Sequence, residues 1–440
     1  MTNSIYRLIF SIIIISTLSS VAVFAQKWVN PNFMAHRLDY RDLGYPAANE
    51  IEADNSPIAA LLGHSNGRIY GATTGKQSYL IAFDQRVNKV LPLGKIASEE
   101  GVFHSIVEGP DGLVYIGTGK NELKKLHLTK DIPGGRRTIE DQLWKDIQNK
   151  YKDYAGGHIY VYDPEKGDGE AYLNEDQAKV TDLGIPVPKN SIYCMVADGE
   201  NGKIYGITYP DAHFFELDLA SKKLKDHGAW LEKLSYAGPE RYLRSVPRSL
   251  VVGKDGKVYS SGDDGLITVF NPEKATISQL NLRIPGEYWE AWNYNGFPVI
   301  DQMVKKDSLI YGGTSDGFIF QLDISKNKIL NLGKPRWGRR VRAMALGNDE
   351  AVYMICGEWE DVCKMYSFDT SNKQNGFTEF GVLGVDRSPY YAKRPYQFDY
   401  MVKGTDGTIF IGESDRRAKL FIYQPGGGVF DGTLNSSNPR

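Results

Sequence analysis

Residues 66–84 read NGRIYGATTGKQSYLIAFD, and this order of turn, apolar strand, loop and second strand recurs seven times along the chain. The other copies are DGLVYIGTG (111–119) with HIYVYD (158–163), NGKIYGITYPDAHFFELD (201–218), DGKVYSSGDDGLITVFN (255–271), DSLIYGGTSDGFIFQLD (307–323), EAVYMICGEWEDVCKMYSFD (350–369) and DGTIFIGESDRRAKLFIY (406–423). An apolar run before each copy and a polar turn and strand after it complete four strands per repeat. The sequence therefore predicts an all-β fold, a seven-bladed β-propeller with four-stranded antiparallel blades.

The two ends of the chain are expected to meet in the last blade. That blade has three strands and no convincing fourth strand after Tyr423, while HRLDYRDLG (36–44) has the pattern of an outer strand without a blade of its own. We therefore predict that an N-terminal strand closes the seventh blade. The alternative is that residues 26–55 form a loose arm.

Blade 2 is longer than the others. We assign residues 118–157 to an insertion within it, and TIEDQLWKDIQNKYKD (138–153) has apolar residues at helical spacing, with Thr138 as a candidate N-cap. The sequence predicts a helical insert and one propeller domain over residues 26–440.

The first 25 residues have the features of a signal peptide. Arg7 precedes a short apolar run, and small residues lead to an expected cleavage between Ala25 and Gln26. We expect a periplasmic or secreted protein. The 440 residues contain three Cys and carry a net formal charge of −2, which excludes a disulfide scaffold and a generic polyanion-binding tail. We expect no nucleic-acid or membrane partner, and a monomer.

One face of the ring is expected to be rich in Arg and aromatic residues. Connections between blades, and between the second and third strands, meet on this face, in loops at 228–248, 285–298, 334–342 and 386–399. Aromatic rings stack on sugars and Arg side chains pair with carboxylates, so we predict an anionic polysaccharide or oligosaccharide as partner. A protein-binding surface is the alternative. The substrate-binding candidates in these loops are Arg244, Trp289, Trp337 and Tyr391.

Counting back eight residues from each turn predicts which side chains meet at the mouth of the central channel. The positions are Ala59, His104, Cys194, Arg248, Ile300, Arg342 and Asp399, with Tyr193 the better match in blade 3 because its turn has one extra residue. The third strands begin at a second ring of positions: Tyr79, His158, His213, Leu266, Phe318, Lys364 and Lys419. We add His158, Arg342 and Asp399 to the substrate-binding candidates.

This combination of His, Tyr and Arg suits β-elimination on a uronic acid. An Arg aimed at the carboxylate stabilises the charge that develops when the C5 proton leaves, and His or Tyr can transfer protons. His104 and Arg248 are the first choices for catalytic residues. Tyr193 and Tyr209 compete for the second proton-transfer role, and His213 could bind substrate, transfer a proton or hold a metal.

Three stretches carry a resemblance to a known family: GVFHSIVEGPDGLVYIGTG (101–119), GKIYGITYPDAHFFELD (202–218) and SVPRSLVVGKDGKVYSSGDDG (245–265). They resemble the seven-bladed propeller polysaccharide lyases, a group that includes ulvan lyases and rhamnose–glucuronate lyases. The resemblance implies elimination at a glucuronate or iduronate linked to rhamnose, with His, Tyr and Arg at the channel mouth, where His104, Tyr193 and Arg248 stand. The family often pairs two catalytic His, and the second could be His158, His213 or neither.

Several readings stay open from the sequence. A dehydratase that expels water from a terminal uronate would use the same residues, a non-catalytic sugar-binding propeller would need no proton-transfer pair, and a pyrroloquinoline quinone dehydrogenase or a lactonase is a further class. The elimination itself needs no cofactor. Cys194 and His213 are candidate ligands of a structural metal, zinc or calcium, with a buried packing Cys as the alternative. Cys356 and Cys363 flank a hairpin and could form a disulfide.

Overall fold

The computed structural model describes residues 27–28, 38–43, 51, 55–86, 88–98, 100–120, 145–167, 177–232, 242, 245–289, 294–295, 298–336, 340–357, 363–383, 397–414 and 418–425. The predicted signal peptide, most of the loops rich in Arg and aromatic residues, and the first part of the blade 2 insert lie outside these residues. No helix in the described part of the chain is long and apolar enough to cross a membrane.

Seven four-stranded antiparallel blades form the ring, which confirms the predicted fold. From the inner to the outer strand, blade 1 consists of Ile58–Gly63, Ile69–Thr73, Gln77–Asp84 and Lys89–Ser98, and blade 2 of Ile106–Glu108, Val114–Gly117, Ile159–Tyr162 and Val180–Asp182. In the same order, blade 3 consists of Ser191–Asp198, Lys203–Tyr209, His213–Asp218 and Lys223–Ala229, and blade 4 of Val251–Val252, Val258–Ser261, Leu266–Asn271 and Thr276–Arg283. Blades 5 and 6 are Ile300–Lys306, Leu309–Thr314, Ile319–Asp323, Lys328–Gly333; and Val341–Leu346, Ala351–Cys356, Lys364–Asp369, Phe377–Val382.

Blade 7 closes as predicted. Its inner strands are Phe398–Lys403, Ile409–Glu413 and Lys419–Tyr423, and the N-terminal strand Leu38–Asp42 pairs antiparallel with the last of them. Each blade then has four strands, so the ring has no open join between its first and last blades. The strand Lys27–Trp28 adds in parallel to the outer strand of blade 6.

The insert in blade 2 is helical, as predicted. Strand Val114–Gly117 is followed by strand Ile159–Tyr162 only after a long connection that contains a helix at 145–151. Ile147 and Tyr151 on this helix are buried among residues of blades 3 and 4. The remaining short elements are Glu100–Gly101 with Gly119–Lys120, Tyr288–Trp289 with Tyr294–Asn295, and the helical turns Pro164–Gly167, Asp263–Gly265 and Lys373–Asn375.

The core lies between the blades, because each blade packs its faces on two neighbours. The second strand of each blade has one buried aromatic residue at an equivalent position: Tyr70, Tyr115, Tyr205, Tyr259, Tyr311, Tyr353 and Phe410. In blades 2, 4 and 6 the phenol donates a hydrogen bond to the Asp four residues earlier, in the turn. The repeated Asp-Gly turn therefore also provides an acceptor for a buried hydroxyl, which would be costly without one.

Candidate functional site

A β-bulge near the start of the innermost strand sets the residues at the channel mouth. In five blades two residues of this strand oppose one residue of the next strand. The extra residues are Ala59, Tyr193, Asp301, Arg342 and Asp399. In each of these blades, one residue of the innermost strand pairs with the buried aromatic residue of the second strand, and the extra residue stands three positions before it. In blades 2 and 4, where no bulge is present, the residues three positions before the partners of Tyr115 and Tyr259 are His104 and Arg248.

This register corrects one position of the ring counted from the sequence. In blade 5 the equivalent residue is Asp301, and Ile300 pairs instead with Thr314. The count failed there because the turn after the inner strand is one residue shorter: Lys306 pairs with Leu309 across Asp307, whose φ is +54°. In blade 3 the register selects Tyr193, the better match expected from the longer turn, with Cys194 next to it.

Arg248 lies in the centre of a polar network. Its Nε lies 3.7 Å from Asp301 Oδ1, and its side chain interacts electrostatically with Tyr193. Asp301 is 1% exposed and also accepts from Arg340 Nη1 at 2.9 and 3.1 Å. Partial burial opposes the charge of Arg248, but Tyr193 and the nearby carboxylates outweigh it and raise the pKa. Arg248 is therefore a fixed cation at the mouth.

A second ion pair continues the ring into blades 6 and 7. Arg342 Nη2 donates to Asp399 Oδ1 at 2.5 Å, and its Nε donates to the carbonyl oxygen of Phe398. The structure thus brings together two of the predicted substrate-binding residues, but it pairs them with each other. Asp399 also contributes to the field around Arg248.

His104 lies on the wall of a central cavity of about 320 Å³, which Arg248, Gln302 and Tyr400 also line. The side chain is 7% exposed, and its Nδ1 lies 2.6 Å from Nε2 of Gln302. The ring of Tyr400 packs beside it, with ring centroids 5.2 Å apart. An imidazole and a guanidinium therefore both line this cavity.

Tyr209 and Tyr193 are neighbours, with ring centroids 5.5 Å apart, but their surroundings differ. Tyr209 is 4% exposed, its Oη has no hydrogen-bond partner, and burial raises its pKa well above the usual value. Tyr193 is only partly buried and interacts electrostatically with Arg248. The geometry therefore favours Tyr193 over Tyr209 as the proton-transfer group.

His158 and His213 lie outside the residues that line the central cavity. His213 begins the third strand of its blade, and His158 immediately precedes the third strand of blade 2. Each contacts a carboxylate of the fourth strand: His158 Nδ1 lies 2.8 Å from Asp182 Oδ2, and His213 Nδ1 lies 2.8 Å from Asp226 Oδ2. The structure thus places these two candidates in equivalent His–Asp pairs and not beside His104.

The described residues do not form the zinc or calcium site considered from the sequence. They contain no group of three or more His, Cys, Asp or Glu arranged to hold a metal. Cys194 is buried with its Sγ 3.7 Å from the carbonyl oxygen of Pro247, and burial raises its pKa to about 12. A thiol of this kind stays protonated, whereas zinc requires the thiolate.

Cys356 and Cys363 are both buried, and the disulfide considered from the sequence does not join them. Cys356 packs in the apolar cluster between blades 5 and 6, and Cys363 packs in the cluster between blades 6 and 7. The two thiols therefore face different sides of the same blade.

The side chains of four predicted substrate-binding residues lie outside the described part of the structure. Arg244, Trp337 and Tyr391 lie outside the described residues, and only the backbone of Trp289 is described, in the strand Tyr288–Trp289. They remain predictions.

The sequence reasoning missed Asp301, Gln302, Arg340 and Tyr400. All four lie at or next to the start of an inner strand, in blades 5, 6 and 7. The offset of three from the partner of the buried aromatic would have found Asp301. The other three depend on side chains that reach across the channel or between blades, and no spacing in the sequence signals them.

The sequence matches no family model and no curated protein. Among solved structures, the fold is similar to that of a streptogramin B lyase, with a TM-score of 0.58, 10% identity, and coverage of 89% of this chain and 99% of that one. It is also similar to a chain of the mitotic checkpoint complex, with a TM-score of 0.51, 14% identity, and coverage of 92% and 99%. At this identity the likeness shows the propeller fold alone, a scaffold compatible with an enzyme or a binding protein.

Proposed function

We propose that this protein is an exported lyase that cleaves an anionic polysaccharide or its oligosaccharides by β-elimination at uronic acid residues, with ulvan-like rhamnose–uronate linkages as substrate class. The observation that carries this proposal is the electrostatic interaction between Arg248 and Tyr193, beside the cavity that Arg248 and His104 line. In the proposed reaction Arg248 binds the substrate carboxylate and Tyr193 transfers a proton. No cofactor is needed for this reaction, and we propose that a monomer carries it out.

The charge at the channel mouth supports an anionic substrate. In the described part of the ring, the guanidinium groups of Arg248, Arg340 and Arg342 face the carboxylates of Asp301 and Asp399. Among these five side chains the cations outnumber the carboxylates by one, at the edge of a cavity where solvent screening is weaker than in bulk water. A uronate carboxylate would offset this excess.

In the proposed reaction the substrate carboxylate pairs with Arg248. The C5–H bond breaks and its proton passes to a side-chain base, while the electron pair moves towards the carboxylate, where the guanidinium stabilises it. The C4–O bond then breaks, the leaving oxygen takes up a proton, and a C4–C5 double bond remains. Tyr193 and His104 are the groups of this site able to assist.

The comparison with solved structures adds one consistent point. The streptogramin B lyase has a similar propeller fold, so this fold is compatible with a lyase activity. The substrate of that protein is not carried over to this one.

The proposal is tested by incubating the chain 26–440 with ulvan, gum arabic and ulvan oligosaccharides and following the absorbance of the unsaturated uronate. We expect a rise that falls by about 10²–10³-fold in Arg248→Ala, as for loss of one transition-state donor. Arg283→Ala is the matched control, because Arg283 lies on the outer strand of blade 4 and pairs with Asp264. No rise on any uronate substrate would exclude elimination.

The same samples separate the alternatives. Mass spectrometry distinguishes chain cleavage from loss of water, which would indicate a dehydratase. Binding of ulvan oligosaccharides that is lost in Arg248→Ala, without any absorbance change, would indicate a sugar-binding propeller. A rise that persists in Arg248→Ala would leave the reaction in place and refute this site.

A further inference from the structure

The contact between His104 and Gln302 bears on where the imidazole proton lies. Nε2 of the Gln302 amide lies 2.6 Å from Nδ1 of His104. An amide nitrogen carries two hydrogens and no available lone pair, so it can only donate. With the amide nitrogen on this side, Nδ1 is the acceptor, and the neutral imidazole then carries its single proton on Nε2.

Both partners are held in place by their backbones and by burial. Each side chain is 7% exposed. Gln302 follows the bulge at Asp301, and the next residue, Met303, donates from its backbone to Ser249 Oγ at 3.1 Å. The carbonyl oxygen of His104 accepts from the backbone of Met195 at 3.0 Å, which ties blade 2 to blade 3. The hydrogen bond therefore joins two fixed groups from blades 2 and 5.

We infer that Gln302 is a positioning residue that keeps His104 in the Nε2–H tautomer, so that His104 acts on the substrate as a neutral hydrogen-bond donor and not as a base. A base needs a free lone pair, and the lone pair of Nδ1 is already used. A neutral imidazole can instead donate from Nε2 to an oxygen on which charge develops.

The inference on the reaction rests on the proposed elimination, and it assigns both proton transfers to Tyr193. The phenolic oxygen of Tyr193, beside Arg248, receives the C5 proton. The electron pair of the C5–H bond forms the C4–C5 double bond, and the C4–O bond breaks. Tyr193 passes the proton on to the leaving oxygen, while His104 keeps its own proton throughout.

Other ionisable groups around His104 do not replace Gln302 in this role. In the described part of the cavity they are Arg248, Glu108 and Tyr400. Burial, and to a lesser degree Cys194, raises the pKa of Tyr400 to about 12, so it stays a neutral phenol near pH 7. Glu108 accepts instead from Ser65 through its backbone N and its Oγ.

The tautomer is measured directly by NMR of the whole chain labelled with ¹⁵N-histidine, at about pH 9, well above the ordinary histidine pKa. His104→Asn assigns the signal. We expect Nε2 to be protonated, Nδ1 to be an acceptor, and a coupling across the hydrogen bond between Nδ1 and the Gln302 amide nitrogen. A proton on Nδ1 of the wild-type protein would overturn the inference without any variant having to fold.

Gln302→Glu tests the cause. A carboxylate can only accept, so we expect it to move the proton to Nδ1. Gln279→Glu is the matched control, because it adds the same charge at an exposed position on the outer strand of blade 4 and should leave the tautomer unchanged. A tautomer that does not move in Gln302→Glu would show that Gln302 does not set it.

Kinetics then test the role in the reaction. We expect kcat of Gln302→Glu to fall by about 10²–10³-fold with a smaller change in KM, because a transition-state donor is lost. An unchanged kcat together with a moved proton would overturn the donor role of His104. If the wild-type protein eliminates nothing, the proposed function fails, while the NMR result still decides the tautomer.

Discussion

Asp301 Oδ1 lies 3.7 Å from Nε of Arg248, and each residue stands three positions before the partner of the buried tyrosine in its own blade. Asp301 is buried and shared between two guanidinium groups, since it also accepts from Arg340. The carboxylate therefore holds together the cationic side of the candidate site.

Replacing Asp301 with Asn keeps the shape of the side chain and removes its charge. We expect the free energy of unfolding to fall by about 1–3 kcal/mol, because two partly buried guanidinium groups lose their counter-charge. Urea unfolding followed by tryptophan fluorescence measures this. Asp163→Asn is the control, since its partner Lys166 is exposed, and it should have a much smaller effect. Equal effects of the two variants would contradict the role of Asp301.

The two neighbouring tyrosines should respond differently to loss of the hydroxyl. Tyr209→Phe removes a buried oxygen that has no partner, so we expect stability to stay the same or rise by about 1 kcal/mol. Tyr193→Phe removes the hydroxyl that interacts with Arg248, and we expect the elimination rate to fall by about 10²–10⁴-fold. Thermal melting and initial rates test the pair. A larger rate loss in Tyr209→Phe would reverse the assignment.

His227 should make the fold weaker in mild acid. Burial lowers its pKa in the folded state, against the opposing effect of the hydrogen bond to Glu216, while Lys225 and Lys203 lower it further. As the pH falls below about 6.5, His227 is protonated in the unfolded chain but stays neutral in the folded chain until its lower pKa is reached. The free energy of unfolding therefore decreases as the pH falls between these two pKa values. We expect the urea midpoint to fall less between pH 7.5 and 5.5 in His227→Phe than in the wild type. The same fall in both proteins would exclude His227 as a source.

The closing strand should contribute measurably to stability. Leu38–Asp42 makes five antiparallel residue pairs with blade 7. We expect a chain that begins at residue 44 to lose about 2–5 kcal/mol relative to one that begins at residue 36, from hydrogen bonds of about 0.5–1.5 kcal/mol each. Both truncations lack Lys27–Trp28, so the comparison isolates the closing strand. Identical melting temperatures would show that closure adds no stability.

The fold was accessible from the sequence because its repeat is local. Each turn, buried aromatic and strand ending recurs within one blade, so seven copies predict seven blades, and a last blade with three strands predicts closure by HRLDYRDLG. The site was accessible only in part. His104, Tyr193 and Arg248 follow from the period of the repeat, whereas Ile300 was wrong because one shorter turn moved Asp301 into the ring.

The sequence by itself determined the number of blades, the closing strand, the helical insert and most of the channel ring, since these depend on spacing along the chain. Only the tertiary structure decided which side chains of the ring touch. Asp301 beside Arg248, Arg342 on Asp399, and Gln302 on His104 join residues from different blades. Closing the ring brings these blades together, and the partner of a buried polar group is then set by three-dimensional position, which no pattern within one blade records.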